Sequence, residues 1–530
     1  MTEADPPARR RPWAGVPVYP VLIAAWFPLN AMAENFGMFR LADIARPIAV
    51  GMAGAAVLVA LLAVVGRDRH RAAFRAALIV VFAGLLDHLA GGLQSLASAV
   101  GLRLLSWVAM AVVAGAFALA AWRLRPGAGF TVAANVALCA MLALPAVQVI
   151  DGSVARSQIA SEVETAAAAQ RQALRVAIPP ASPRPNIVHI VLDGYSRQDV
   201  LAETYGFDNG AFIDRLKARG FAVAGAATTP YNRTLFAMAS VLSARYVDAA
   251  LPEDDDSAES VLVERLQRND VMAVLDDLGY QIAAVDSIYD PVRFDDVDRF
   301  FVSSGTFNNF ERTLVQASAP LRFATLLLDG WESSADRIRR KLGVNPHRAL
   351  EAPFFLYMHL IAPHPPFDVD AEGRAVKGGI QMSLADGSHH RKHDPDRRAI
   401  YREGYVAKLQ FINRRIEAYL DRLLAEVPDP KVVVVHGDHG SGLCLDHDHR
   451  DRTAAKERYA PLLAVYSSDG SVQRGLPADF NLVNLYRHVL NTAFGAKLPL
   501  LESRHYFVPW DRPFAPEPIP AAELAAGCTG

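Results

Sequence analysis

The chain comprises 530 residues, 52% of them hydrophobic, with a formal net charge of -2. That length points to two or more domains, and the near-zero charge leaves no electrostatic footprint for nucleic acid, so no nucleic-acid partner is expected. Three cysteines, Cys139, Cys444 and Cys528, exclude a disulfide-dense scaffold and leave open whether Cys444 and Cys528 pair.

The apolar content is concentrated at the N-terminus. Residues 13–33, 48–66, 76–97, 104–122 and 130–150 are each apolar over about 20 residues, the length of a bilayer-spanning helix. Arg9, Arg10 and Arg11 precede the first stretch as they would in a signal peptide, but four further stretches follow, so a retained anchor is expected. Arginine placement orients the set. Arg9, Arg10, Arg11, Arg67, Arg69, Arg71, Arg75, Arg123 and Arg125 lie on one side, against Arg40, Arg46 and Arg103 on the other. The positive-inside rule then makes the N-terminus cytoplasmic and puts everything after residue 150 outside the cytoplasm. The expectation is a multi-pass inner-membrane protein with an N-terminal five-helix transmembrane bundle (1–150).

Residues 151–177, rich in Ala and Gln, read as a helix leaving the membrane. The prolines of "IPPASPRP" (178–185) end it, since each lacks an amide donor. This puts a helical linker at 151–185 and an extracytoplasmic domain at 186–530. In that domain short apolar runs alternate with amphipathic ones. The strands are Asn186–Leu192, 221–226, 281–287, Phe354–Leu360, the valine run after Lys431 and 461–467; the helices are 210–220, 234–246, 271–280, 401–425 and 480–495. Such alternation predicts an α/β domain, a mainly parallel sheet sandwiched by helices.

Three of these strands run into polar residues at their carboxyl ends, where open α/β sheets place ligands. "NIVHIVLDGYSRQD" ends at Asp193, "FFLYMHLIAPHPPF" carries His364, and "KVVVVHGDHG" reaches Asp438 and His439. Thr234 opens a predicted helix, where free amides favour anions. Each residue alone reads equally as a cap or turn. Together, two carboxylates, an imidazole and a hydroxyl suit one divalent ion, zinc or manganese, held by Asp193, Thr234, Asp438 and His439.

With these motifs in place, residues from 186 onward resemble the alkaline phosphatase and sulfatase superfamily, and within it the membrane-anchored branch of lipoteichoic acid synthases and phosphoethanolamine transferases. The family opens with a strand ending in a metal-binding acid, matched by "IVLDGYSRQDVL" and Asp193. Its nucleophile begins a helix with a serine six residues on, matched in "TLFAMASVLSA" by Thr234 and Ser240. Its Asp-His-Gly is matched by Asp438, His439 and Gly440, and its substrate-contacting histidine by His364 in "APHPPF". The departures bear on subclass. Formylglycine sulfatases need Cys or Ser, then Pro and Arg two and four residues on; here those positions are Thr234, Phe236 and Met238. Two-zinc phosphodiesterases carry Asp four residues before their histidine, where this chain has Leu360, so the resemblance implies a single ion. Lipoteichoic acid synthases usually have Glu at the position of Asp193, and phosphoethanolamine transferases have many more cysteines.

The resemblance implies a metal-dependent phosphoryl-group transferase with Thr234 as nucleophile. It would move a headgroup from an anionic phospholipid donor onto an envelope glycan or lipid acceptor. His364 would contact substrate, and His447 or His449 would serve the leaving group or the acceptor, although both also read as solvated loop residues. The basic loop 387–398 is either an anionic-headgroup attractor or a solvated lid. A hydrolase of phosphate or sulfate esters and a non-catalytic membrane sensor are the alternatives.

Overall fold

The computed structural model describes residues 15–35, 39, 41–99, 103–247, 255–303, 307–316, 318, 321, 333–377, 379–380, 386 and 395–528. Residues Met1–Ala155 with Thr306–Trp331 cluster as one compact unit, and Arg156–Gly305 with Glu332–Gly530 as another.

The first unit contains α1 (Tyr19–Glu34), α2 (Ala45–Gly66), α3 (Arg69–Ala99), α4 (Arg103–Arg123) and the start of α5 (Ala128–Ala177). Each helix overlaps one of the five apolar stretches. The segment Leu41–Gly66 and α5 are long and apolar enough to cross a membrane. Val50, Val57, Leu61, Val64 and Val65 of α2 are all exposed, an outward apolar surface larger than soluble chains usually tolerate. Arg46 pairs with Glu311, and Asn308 Nδ2 donates to the Asp43 carbonyl at 3.0 Å, so part of segment 306–331 belongs to this unit.

Helix α5 does not stop where its membrane-length stretch ends; it runs unbroken for 50 residues. It ends at Ala177 because Ile178 precedes Pro179, and a residue before proline is pushed out of the helical region. Its last turns belong to the second unit. There Leu174 is buried in the core and Arg171 Nε lies 3.1 Å from Asp270 Oδ1.

The second unit is built on a mixed, mostly parallel sheet of seven strands: β1 (Asn186–Leu192), β2 (Ala222–Val223), β3 (Gln281–Val285), β4 (Arg299–Phe301), β5 (Phe354–Leu360), β6 (Lys431–His436) and β7 (Leu463–Ser467). Their order is β2-β7-β6-β1-β5-β3-β4. Strands β6, β1, β5, β3 and β4 are parallel; at one edge β7 runs antiparallel to β6, and β2 pairs antiparallel with β7. Both faces of the parallel strands are covered, which is why they read as continuous apolar runs. Val432 and Val434 enter one core, Val433 and Val435 the other.

Several boundaries differ from the sequence reading. The strand expected over 221–226 shrinks to the two residues of β2, an edge strand followed by Gly225. The helix expected from 401 begins at Pro395, a residue suited to a first helical turn, and the late helix opens with a 3-10 turn at Leu482–Asn484 before Leu485–Ala493. Helices α6 (Gln198–Tyr205), α7 (Gly210–Ala218), α8 (Thr234–Ser243) and α9 (Asp255–Gln267) surround the sheet; α6, α9 and β4 were not anticipated. Residues 387–394 of the basic loop lie outside the described residues.

One face of the sheet carries a buried polar row. His436 Nδ1 lies 2.7 Å from the Gly437 carbonyl and so bears the proton; its bare Nε2 accepts from His189 Nε2 at 2.7 Å, and His189 Nδ1 accepts from Tyr486 Oη at 2.8 Å.

Because both faces are sealed, Val433→Ala and Val434→Ala should each destabilise the full-length chain by about 2 kcal/mol. Chemical denaturation followed by tryptophan fluorescence checks this; a loss at only one of the two positions would mean that one face is not packed.

Candidate functional site

Strand register assembles the site. Val191 of β1 is level with His359 of β5 and His436 of β6, so the three strands end together. The Asp193 amide continues the ladder by donating to the Leu360 carbonyl at 2.9 Å, and Gly194 then turns the chain at φ +71°. The Gly194 amide donates to Asp438 Oδ1 at 3.0 Å, which ties the two strand ends to each other. Gly440 of the Asp-His-Gly sequence is required sterically: a Cβ there would meet the Glu457 carbonyl oxygen at 1.9 Å. The Glu457 carboxylate in turn accepts from the amides of Leu443 and Cys444 and from Ser441 Oγ, fixing the loop after His439.

Thr234 is the first residue of α8, and its Oγ1 lies 3.0 Å from His439 Nε2. The proton on that imidazole can be located. His439 Nδ1 donates to the Gly440 carbonyl at 2.9 Å, so Nε2 is a bare lone pair. It faces the Thr234 hydroxyl, Arg458 Nη2 at 3.1 Å and Asp438 Oδ2 at 3.2 Å. Asp193, His359 and Asp438 offer ligand atoms that all lie within 4.8 Å of one another, and all three residues are buried. The structure therefore brings together Asp193, Thr234, Asp438 and His439, four residues scattered over the chain.

Electrostatics mark the place as one that wants a cation. Burial, reinforced by Asp438, pushes the Asp193 carboxyl up to about 8. Burial also acts to raise Asp438, but His439, His359 and the Gly194 amide outweigh it and hold the carboxyl below its usual range. Burial depresses the His359 and His439 imidazoles to about 4, so both are neutral ligand-type rings near neutral pH. Asp193 Oδ1 is buried with no hydrogen-bond donor among the described residues. Two carboxylates and an imidazole lone pair in a water-poor site match the ligand chemistry of a zinc-type or manganese-type divalent ion.

His364 joins this group through the backbone. Its amide donates to the Asp193 carbonyl at 3.0 Å, its Nδ1 lies 2.8 Å from the Pro365 carbonyl, and its Nε2 lies 3.9 Å from Asp386 Oδ1. Buried Lys408, whose ammonium is depressed by burial to about 7, holds the same loop by donating to the carbonyls of His364 at 2.6 Å and Pro366 at 3.1 Å. His447 is buried with its ring edge-on to Trp510 at 5.5 Å. His449 is half exposed beside Asp446 at 3.4 Å, and no contact joins it to Asp193, Thr234 or Asp438 among the described residues.

Sequence reasoning missed three residues here. His359 Nε2 lies 3.2 Å from Asp193 Oδ2, and its Nδ1 lies 3.0 Å from Tyr357 Oη. Tyr357 and His359 sit two apart on one face of β5, a polar pair in an apolar strand, and that spacing was the available signal. Arg458 spans His439 and Asp386, donating to Asp386 Oδ2 at 2.9 Å; nothing local in "AKERY" announces it. An outer partner of this kind orients a metal-binding carboxylate. His359→Leu should therefore weaken zinc or manganese affinity by about 10- to 100-fold, and Tyr357→Phe by less, read by competition with a chelating dye. Equal affinity in His359→Leu and the parent chain would remove His359 from the site.

The Sulfatase family model matches residues 185–496. No curated protein matches the sequence. Similar solved structures include the C-terminal periplasmic domain of EcEptC from Escherichia coli (12% identity over 62% of this chain and 89% of that one, TM-score 0.38). They also include the C-terminal periplasmic domain of phosphoethanolamine transferase EptC from Campylobacter jejuni (12%, 61% and 92%, TM-score 0.37) and phosphonate monoester hydrolase of Agrobacterium radiobacter (12%, 61% and 80%, TM-score 0.40). Since the family match spans more than half of the chain and takes in Asp193, Thr234, Asp438 and His439 alike, the chain belongs to the Sulfatase family.

Proposed function

We propose that the chain is a membrane-anchored, metal-dependent phosphoryl-group transferase. Thr234 is its nucleophile, and it moves a headgroup from an anionic phospholipid onto an envelope glycan or lipid. The observation that carries this reading is the Thr234 hydroxyl held 3.0 Å from His439 Nε2, beside two buried carboxylates. Thr234 cannot become formylglycine, and Phe236 and Met238 replace the Pro and Arg that such conversion requires, so phosphate esters are favoured over sulfate esters.

The ligands are assigned as Asp193, Thr234, Asp438 and His439. A single divalent ion, zinc or manganese, would supply Lewis acidity there, lowering the hydroxyl's pKa and offsetting phosphoryl charge. The chain's own residues account for the rest. His439 Nε2 carries the lone pair that would hold the ion, so the Thr234 proton, which faces it at 3.0 Å, would be given up to solvent when the ion is held, leaving the oxygen to attack. Thr234 Oγ1 bonds to phosphorus as the bond to the departing alcohol breaks, and that alcohol takes a proton, for which His447 is the proposed donor. The acceptor hydroxyl then attacks the phosphothreonine, returning its proton to His447 as the bond from phosphorus to Thr234 Oγ1 breaks, which restores both residues. His364, fixed by its amide bond to Asp193 and by Lys408, contacts a phosphoryl oxygen, a type of interaction worth several kcal/mol in comparable sites. His449, on the loop rim, is assigned to the substrate's distal portion.

Membrane attachment is supported by the five N-terminal helices, two of them of spanning length and apolarity, and by the arginine asymmetry that makes the N-terminus cytoplasmic. Residues 151–185 serve as linker and 186–530 as the extracytoplasmic catalytic domain. The Cys444–Cys528 disulfide, with Cα atoms 5.7 Å apart, suits an oxidising compartment such as the periplasm.

Labelled anionic phospholipid incubated with the purified chain and envelope extract is expected to pass label to glycan or lipid; label reaching only water would make the chain a hydrolase. Thr234→Ala should lower turnover by about three orders of magnitude or more, and unchanged turnover removes Thr234 as nucleophile. Chelation should abolish the reaction and lower the unfolding temperature, with zinc or manganese restoring both.

A further inference from the structure

Arg233, immediately before the nucleophile, plays no part in the scheme above. It is the N-cap residue of α8, in an extended conformation (φ -121°, ψ 137°), and its side chain makes no capping hydrogen bond. Its guanidinium carbon lies 4.7 Å from the Trp510 ring centroid and 5.7 Å from that of Phe236, one turn into the helix. Such stacking orients the planar cation without consuming its N–H donors. Nη1 is buried with no hydrogen-bond partner, and Arg233 forms no ion pair among the described residues. A buried, unanswered guanidinium donor is costly, so its retention calls for an acceptor that arrives from elsewhere.

The surroundings indicate what arrives. Trp510 is fixed by its amide bond to the His447 carbonyl at 2.9 Å and by a reciprocal pair between Asn232 and Val508 at 2.8 and 3.3 Å. The cation is thus held between two rigid walls. Half-buried Tyr289, whose hydroxyl burial keeps protonated, is within electrostatic reach of Arg233 and of both Asp193 and Asp438. Glu259 also faces Arg233 without pairing with it.

Resting on the transferase reading, we infer that Arg233 recognises the substrate's anionic phosphate. Its planar fork donates to a non-bridging oxygen. This is a binding role beside the nucleophile, separate from the metal ligands. The ligand chemistry is a phosphate mono- or diester oxygen, from a lipid headgroup or a free phosphate.

The test uses the full-length chain in detergent, loaded with zinc or manganese, with two probes: inorganic phosphate by calorimetry and phosphatidylglycerol micelles as a competitor of that binding. Arg233→Met keeps the packing against Trp510 and removes the charge. It should weaken both probes by about 10- to 100-fold and raise KM for a chromogenic phosphodiester more than it lowers kcat. Arg233→Lys should recover part of the loss. Weakening of inorganic phosphate alone assigns Arg233 to a phosphomonoester; weakening of both assigns it to the headgroup phosphate. Wild-type phosphate affinity in a folded Arg233→Met chain overturns the inference, as does a fall in kcat with affinity unchanged. Should Arg233→Met fail to fold, Arg233→Gln carries the same comparison. Loss of turnover in Thr234→Ala is independent of these readings, so failure of the nucleophile assignment and failure of this one are told apart.

Discussion

Two carboxylates, Asp193 and Asp438, are sealed side by side at the end of a parallel sheet, close enough for each to shift the other's titration. In water such groups would repel only weakly; in a site this dry the repulsion is several times stronger. Among the described residues, no lysine or arginine forms a salt bridge to either acid. The fold supplies instead neutral imidazoles, a backbone amide and a hydroxyl, all of which are ligand or orienting groups. The residues that make chemistry possible are therefore also those that make the apo site electrostatically uneasy, a usual sign of a functional centre.

The chain meets this demand with backbone geometry. Parallel strands β6, β1 and β5 finish at one level, so three residues from distant parts of the sequence arrive together without long side chains having to reach. The hydrogen-bond partners behind them are equally local: the Gly194 amide donates to Asp438, His359 pairs with Asp193, and the Gly440 carbonyl accepts from His439. Each fixes one degree of freedom of a side chain at the strand ends, so the group is held in place before anything binds.

Much of this was legible in the amino-acid order. The valine run after Lys431 and the strand "NIVHIVL" announce buried parallel strands, and Asp193 and Asp438 at their ends announce the site. Thr234 was legible because a polar residue opens an otherwise apolar helix. What escaped depended on three-dimensional closure. His359 lies inside a strand, where the pattern assigns it to the core, and only the neighbouring strand's register turns it toward Asp193. Arg458 acts across a loop of 18 residues from Gly440, and its target is visible only once that loop is folded. Segment 306–331, whose part Asn309–Gln316 is helical, carries no signal that it belongs with the N-terminal helices rather than the sheet.

The row formed by Tyr486, His189 and His436 has a direction: Tyr486 donates to His189, His189 to His436, and His436 to the Gly437 carbonyl. Reversal would require every member to exchange its proton at once, in a place with no solvent to lend one. Val434 is level with His189 and His436 lies two positions on, so both imidazoles share one face; sliding β6 by a single position against β1 would turn His436 to the opposite face and break their bond. The row thus works as a key that admits one strand alignment, and that alignment is the one that delivers Asp438 to Asp193.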